Sequence, residues 1–194
     1  MSQKCLYMLH KPFGILSQFH NEGARLGWGS LNLPWSKDVY SIGRLDADSE
    51  GLLLFTNDNG CKTRLLDPKN SHRRTYHVQV EGLPSAEQLT RLEAPMELNL
   101  KGKSHTTRGS KTSLVHPEWP PRIPPIRERK TVPDAWLEIT LTEGKNRQVR
   151  RMTAAVGLPT LRLIRVAMGG LALGHLQPGE WREVDLHKLQ LVSS

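Results

Sequence analysis

The chain has 194 residues, a formal net charge of +8 and 37% hydrophobic residues, among them five Trp, enough for one large domain or two small ones. No stretch approaches the roughly 20 consecutive apolar residues of a membrane helix, and two cysteines, Cys5 and Cys61, are too few for a disulfide framework or a four-cysteine zinc site. The opening Met1-Ser2-Gln3-Lys4-Cys5 lacks the long apolar region and small-residue cleavage site of a secretory signal, so a cytoplasmic protein with reduced thiols and no membrane partner is expected.

In chain order, Cys5 to Leu9 reads as a strand, followed by a Lys11-Pro12-Phe13-Gly14 turn and a second short strand near Ile15 to Phe19. Residues 20 to 38, with Gly23, Gly27, Gly29 and Pro34, read as an irregular excursion. Val39 to Ile42 and the apolar run Leu52 to Thr56 are short strands on either side of an acidic loop. Asp58 caps a helix that Asp67-Pro68 ends near Leu66. Thr75 to Val80 alternates, with Tyr76, Val78 and Val80 on one face. Ser85 and Gln88 form a capping box for a helix carrying Leu89 and Leu92. Residues 102 to 133 hold six prolines among many basic residues and are expected as an extended, mobile surface loop. Trp136 to Thr142 alternates again. A helix over Asn146 to Val156 places Val149, Met152 and Val156 on one face and Arg147, Arg150 and Arg151 on the other, and Gly157 and Pro159 stop it. Leu161 to Ala167 and Trp181 to Val184 complete the strands. Strands in meander-like succession with a few helices predict an α+β fold around a mostly antiparallel sheet.

The positive charge is clustered. Lys145, Arg147, Arg150, Arg151, Arg162 and Arg165 stand together with no acid between Lys145 and Arg165. Other basic tracts run from Lys62 to Arg74 and from Lys101 to Lys130. Tracts converging into one groove are the footprint of a nucleic-acid partner, because each neutralised phosphate releases condensed counterions.

Against this background, Gly43-Arg44-Leu45-Asp46-Ala47-Asp48-Ser49-Glu50-Gly51 packs three carboxylates into five residues. It imitates the start of a calcium loop, but the twelfth position, which needs a bidentate Glu, is Asn57, and no metal is expected. Two readings of the residues stay open: a solvated acidic turn, or a catalytic carboxylate kept ionised and shielded from phosphates by a neighbouring Arg. None of the eight histidines has a metal spacing or a plausible Ser or Cys partner.

Five segments are together similar to the RsuA-type ribosomal RNA pseudouridine synthases. Gly43-Arg44-Leu45-Asp46 with Glu50 to Asp58 resembles the catalytic motif of that family. Leu9-His10-Lys11-Pro12-Phe13-Gly14 resembles its N-terminal element, with His10 where Asn is usual. Thr75-Tyr76-His77-Val78 resembles the motif of the active-site tyrosine. Glu143-Gly144-Lys145-Asn146-Arg147-Gln148-Val149-Arg150-Arg151-Met152 and Leu163-Ile164-Arg165 with Met168-Gly169 match the last two motifs. The segments occur in family order and span nearly the whole chain.

The resemblance implies a mixed, mostly antiparallel central sheet with flanking helices, in two sub-halves around one cleft. It implies one catalytic domain over 1–194 without the S4 RNA-binding domain usual in the family, as in its S4-less members, which include an enzyme acting on 23S ribosomal RNA. It implies an isomerase that needs no cofactor and works as a monomer on ribosomal RNA. By resemblance Asp46 initiates the reaction, as nucleophile or as base at the sugar. Arg150 pairs with Asp46, Tyr76 stacks on the extruded uracil, and Leu163 packs beneath the base. Arg44 inserts into the vacated stack or holds the backbone, and Lys145, Arg147, Arg151, Arg162 and the Lys62 to Arg74 tract are expected to contact phosphates. Two alternatives compete: an RNA-binding assembly factor without activity on the same fold, and a glycoside-type hydrolase using Asp46 with Asp48 or Glu50.

Overall fold

The computed structural model describes residues 3–100, 102–126 and 131–185. Of the expected basic tract from Lys101 to Lys130, Lys101 and residues 127–130 lie outside the described residues. The strands are β1 (Leu6–Lys11), β2 (Tyr40–Ile42), β3 (Glu50–Thr56), β4 (Arg74–Glu81), β5 (Glu97–Leu100), β6 (Lys103–Thr106), β7 (Lys111–Val115), β8 (Asp134–Leu141), β9 (Thr160–Met168), β10 (Leu171–Ala172) and β11 (Trp181–Glu183). The helices are α1 (Asn59–Leu66), α2 (Ala86–Glu93) and α3 (Gln148–Ala155), and no described helix is long and apolar enough to cross a membrane. The chain divides into two units, Met1–His72 with Arg165–Ser194, and Arg73–Ile164, the division falling inside β9.

In the first unit β1 pairs antiparallel with β3 and β11, β2 with β3, and β9 with β10. Every residue of β3 is buried, as its unbroken Leu52-Leu53-Leu54-Phe55 run requires of a strand covered on both faces. The excursion between Ile15 and Val39 is held by aromatic rings. Trp28 and Trp35 stand with their centroids 5.0 and 4.8 Å from the Phe55 ring, and Tyr7 stacks on Trp35 at 4.8 Å. The strand expected over Ile15 to Phe19 does not form; one isolated bridge, Leu16 to Gly27, takes its place.

The second unit pairs β4 with β8 and β8 with β7, all antiparallel, with β5 and β6 as a separate pair. Tyr76, Val78 and Val80 of β4 and Leu137, Ile139 and Leu141 of β8 are buried together. Leu92 of α2 and Val149 and Met152 of α3 close the same cluster. The α2 capping box is present in both halves, Ser85 Oγ accepting from Gln88 N–H and the Gln88 side chain from Ser85 N–H. Helix α3 starts two residues later than its periodicity suggests, because Arg147 sits in the left-handed region at φ 52°. It stops where expected: Gly157 at φ 80° lets its N–H reach Ala154 O while Leu158 N–H reaches Thr153 O. Within the segment expected as an irregular loop, Lys103–Thr106 and Lys111–Val115 are strands, the latter bonded to β8.

Phe55 is fully buried against two indoles, so Phe55→Ala is expected to cost roughly 3–5 kcal/mol. Equilibrium urea unfolding checks this; a loss below about 1 kcal/mol would mean that the aromatic cluster does not anchor the excursion.

Candidate active site

The loop between β2 and β3 carries Asp46, half-buried, with exposed Arg44 on one side and buried Ser49 and Glu50 on the other. Its backbone is fixed from outside. The Ser17 hydroxyl accepts from Leu45 N–H at 2.8 Å and donates to Leu45 O at 2.7 Å. Gly14 N–H donates to Ala47 O at 2.7 Å, and within the loop Ser49 N–H reaches Asp46 O at 3.0 Å. Asp46 is thus bracketed by residues that cannot move without losing buried hydrogen bonds.

The Lys11-Pro12-Phe13-Gly14 segment supplies that frame. Gly14 stands at φ 84°, a conformation in which a Cβ is strained, and this turns its N–H toward the loop. Lys11 has no solvent exposure, and its ammonium donates to Pro12 O at 2.9 Å and Ile15 O at 2.7 Å. Burial lowers its pKa to about 7, against the opposing pull of Glu50, Asp48 and Asp46, while Arg165 lowers it further. Arg165 is itself buried, its Nε donating to Leu52 O at 2.8 Å. From the last residue of β3 onward the motif is structural: Thr56 Oγ1 donates to Cys5 O at 2.6 Å, Asn57 Oδ1 accepts from Cys5 N–H at 3.0 Å, and Asp58 caps α1 by accepting from Gly60 N–H at 2.9 Å. Asn57, the position that counted against a calcium loop, is spent on this contact.

The remaining predicted residues belong to the second unit. Tyr76 and Leu163 are buried in one cluster. Arg150, half-buried on α3, donates from Nη1 to Thr160 O at 3.4 Å. Arg151 donates to Asn99 O, so it is tied to β5, whereas Lys145 and Arg147 are exposed. Arg147 is not on the helical face expected for it, being the left-handed residue before α3. Arg162, read as a phosphate contact, is buried with its Nη1 on Pro120 O at 2.8 Å, which corrects that expectation. Residues passed over in the sequence hold the Arg150 segment. Gln148 Oε1 accepts from Lys145 N–H at 2.9 Å, and its Nε2 donates to Glu143 Oε1 at 2.7 Å. Burial works against the Glu143 carboxylate, yet hydrogen bonds from Arg108 N–H, Gln148 and His105 outweigh it and hold its pKa below the ordinary range. The one available signal was the spacing of Glu143 and Gln148 within a recognised motif.

The Lys11 shift has a direction that can be measured. With a folded pKa of about 7 below an unfolded value of 10.5, the unfolded chain binds more protons between those limits, so stability rises with pH across them. Urea unfolding of wild type against Lys11→Met should therefore show wild type gaining a few kcal/mol on the variant from about pH 7 to pH 10. Parallel stability curves would mean that the ammonium is not desolvated.

Residues 6–155 match the family model described as RNA pseudouridylate synthase. The chain is 50% identical over 182 residues to "Ribosomal large subunit pseudouridine synthase E" of Xanthomonas campestris pv. campestris, covering 93% of this chain and 95% of that one. It is 44% identical over 187 residues to the protein of the same name from Vibrio vulnificus, covering 96% and 77%. Among solved structures, one titled as a crystal structure of pseudouridylate synthase superposes with a TM-score of 0.77 over 99% of this chain and 75% of that one, at 24% identity, a likeness of fold. Motif order, fold and sequence identity agree, and the chain belongs to the RNA pseudouridylate synthase family, in its ribosomal RNA-modifying branch.

Proposed function

We propose that this protein isomerises a specific uridine of 23S ribosomal RNA to pseudouridine, with Asp46 as its catalytic carboxylate. The reaction breaks the N1–C1′ bond, turns the base within the site and forms C5–C1′, while the C5 proton leaves and N1 gains one. Atoms and electrons balance within one nucleotide, so the chemistry calls for no cofactor. The observation that carries the reading is the Asp46 loop: an accessible carboxylate whose backbone neighbours are locked by Ser17 and Gly14. A nucleophile or base held this way loses little freedom on meeting the sugar, and such orientation can supply about 7–11 kcal/mol of a barrier's lowering.

In this reading Arg150 pairs with Asp46 and keeps it ionised, and Tyr76 stacks on the uracil with Leu163 beneath it. Arg44, exposed on the same loop, inserts where the base has left or holds the backbone. Lys145 and Arg147 are exposed and suited to phosphates, and Arg151 holds both a protein carbonyl and the RNA backbone. Extruding the target base costs a few kcal/mol, which phosphate contacts offset. The protein acts as a monomer in the cytoplasm, on RNA of the kind named for its relatives.

Nucleotide-resolution mapping of pseudouridine in ribosomal RNA tests this, in cells whose sole copy carries wild type or Asp46→Asn. One uridine of 23S RNA should lose its modification, with the rate in vitro falling by at least about 100-fold. Unchanged modification with the variant would remove Asp46 from the chemistry.

A further inference from the structure

Side chains alternate along β4: Tyr76, Val78 and Val80 enter the core, and Thr75, His77, Gln79 and Glu81 face the other way. That second face is roofed by residues 117–126, and the roof is pinned. Trp119 Nε1 donates to His77 Nδ1 at 3.0 Å, and Arg162 donates to Pro120 O at 2.8 Å. Arg122 closes the turn by donating to Pro124 O at 2.8 Å and Pro125 O at 3.1 Å. Beneath it lies a cavity of about 480 Å³, within the range of small-ligand pockets. Trp119, Trp136 and Pro121 give it apolar walls, and Gln79, Glu81 and Asp134 give it acceptors.

The strand register sets those groups side by side. Gln79 stands opposite Trp136 and Glu81 opposite Asp134, so an indole, an amide and two carboxylates share one sheet face. Gln79 donates its side-chain amide to Asp134, which orients the carboxylate and leaves it lone pairs for a ligand. Trp136 is half-buried, and among the described residues no aromatic ring packs on it.

A flat aromatic wall beside a carboxylate matches one kind of RNA group. Any base can stack on an indole, but guanine alone presents two adjacent donors, N1–H and N2–H, to a single carboxylate. Adenine and cytosine offer one donor beside an acceptor, and uracil offers one between two acceptors. Arg122 and Arg162 also line the pocket with their guanidiniums tied to the carbonyls of Pro124, Pro125 and Pro120, while Glu81 and Asp134 supply the acceptors that the N–H groups of a base require. A proline-rich peptide fits the apolar walls but has no N–H on its prolines to meet the acceptors.

We propose that this pocket captures one unpaired guanine of the substrate RNA, a nucleotide distinct from the target uridine. The assignment of RNA as the ligand rests on the function proposed above; the pocket lies on the face of β4 opposite to Tyr76. Holding a second base fixes which uridine is presented, so the pocket is a specificity site.

Titration of GMP, AMP, CMP and UMP into the ¹⁵N-labelled full chain tests this, read at the indole N–H signals of Trp119 and Trp136. GMP should move the Trp136 signal saturably at roughly tenfold lower concentration than the other three, and Asp134→Asn should erase that preference. Equal response to all four nucleotides, or a response of Trp136 to decaproline and none to GMP, would overturn the proposal. Asp46→Asn should keep the guanine preference, which separates the two readings. Loss of guanine binding with pseudouridine still formed removes the pocket alone; guanine binding in a wild-type chain that forms no pseudouridine removes the proposed function.

Discussion

The Ser17 hydroxyl accepts from the Leu45 amide at 2.8 Å and donates to the Leu45 carbonyl at 2.7 Å, closing both polar groups of the residue before Asp46 with a single side chain. Leaving either group unmet in the interior costs about 1–3 kcal/mol, so the loop has little reason to adopt another path. Ser17 is placed in turn by the bend after β1, which Lys11 gathers through the carbonyls of Pro12 and Ile15. A desolvated ammonium is costly, and the Glu50, Asp48 and Asp46 carboxylates offset part of that cost. The segments around Lys11 and Asp46, far apart in sequence, are therefore one structural object. The acids beside Asp46 support the loop electrostatically, and Asp46 is the one the proposed chemistry uses.

What was legible in the sequence was what local chemistry decides. The Asp58 cap, the Ser85–Gln88 box and the alternation on β4 and β8 each involve residues a few positions apart, and each stands as read. Ile15 to Phe19 has strand composition, yet its partners lie near Leu26 and Gly27 and give only one bridge. Strands β6 and β7 were hidden for the opposite reason. Their Lys, Ser and Thr residues carry little apolar signal, and it is pairing, with β5 and β8, that makes them strands. Arg147 shows the same limit at one residue, since its left-handed backbone accompanies Gln148 bonding back to Lys145 and Glu143.

The basic tracts need a similar adjustment. Composition counts Arg162 and Arg165 with the surface cations, but both are buried and bonded to backbone carbonyls, Pro120 and Leu52. Their charges shape the interior, whereas Lys145, Arg147 and Arg44 remain exposed. Of the candidate site, Asp46, Tyr76 and Arg150 are candidates on their motifs. Ser17 is not, because its role depends on a contact 28 residues away that no periodicity reports.

In the proposed reaction Asp46 acts from a loop held by Ser17. Single-turnover conversion of 23S RNA by Ser17→Ala, with enzyme in excess and RNA affinity measured in parallel, tests it most directly. The rate should fall by roughly 100-fold with RNA affinity essentially unchanged, as expected when a reacting group is misplaced by about 1 Å. A folded Ser17→Ala variant that converts its RNA at the wild-type rate would contradict this role for Ser17.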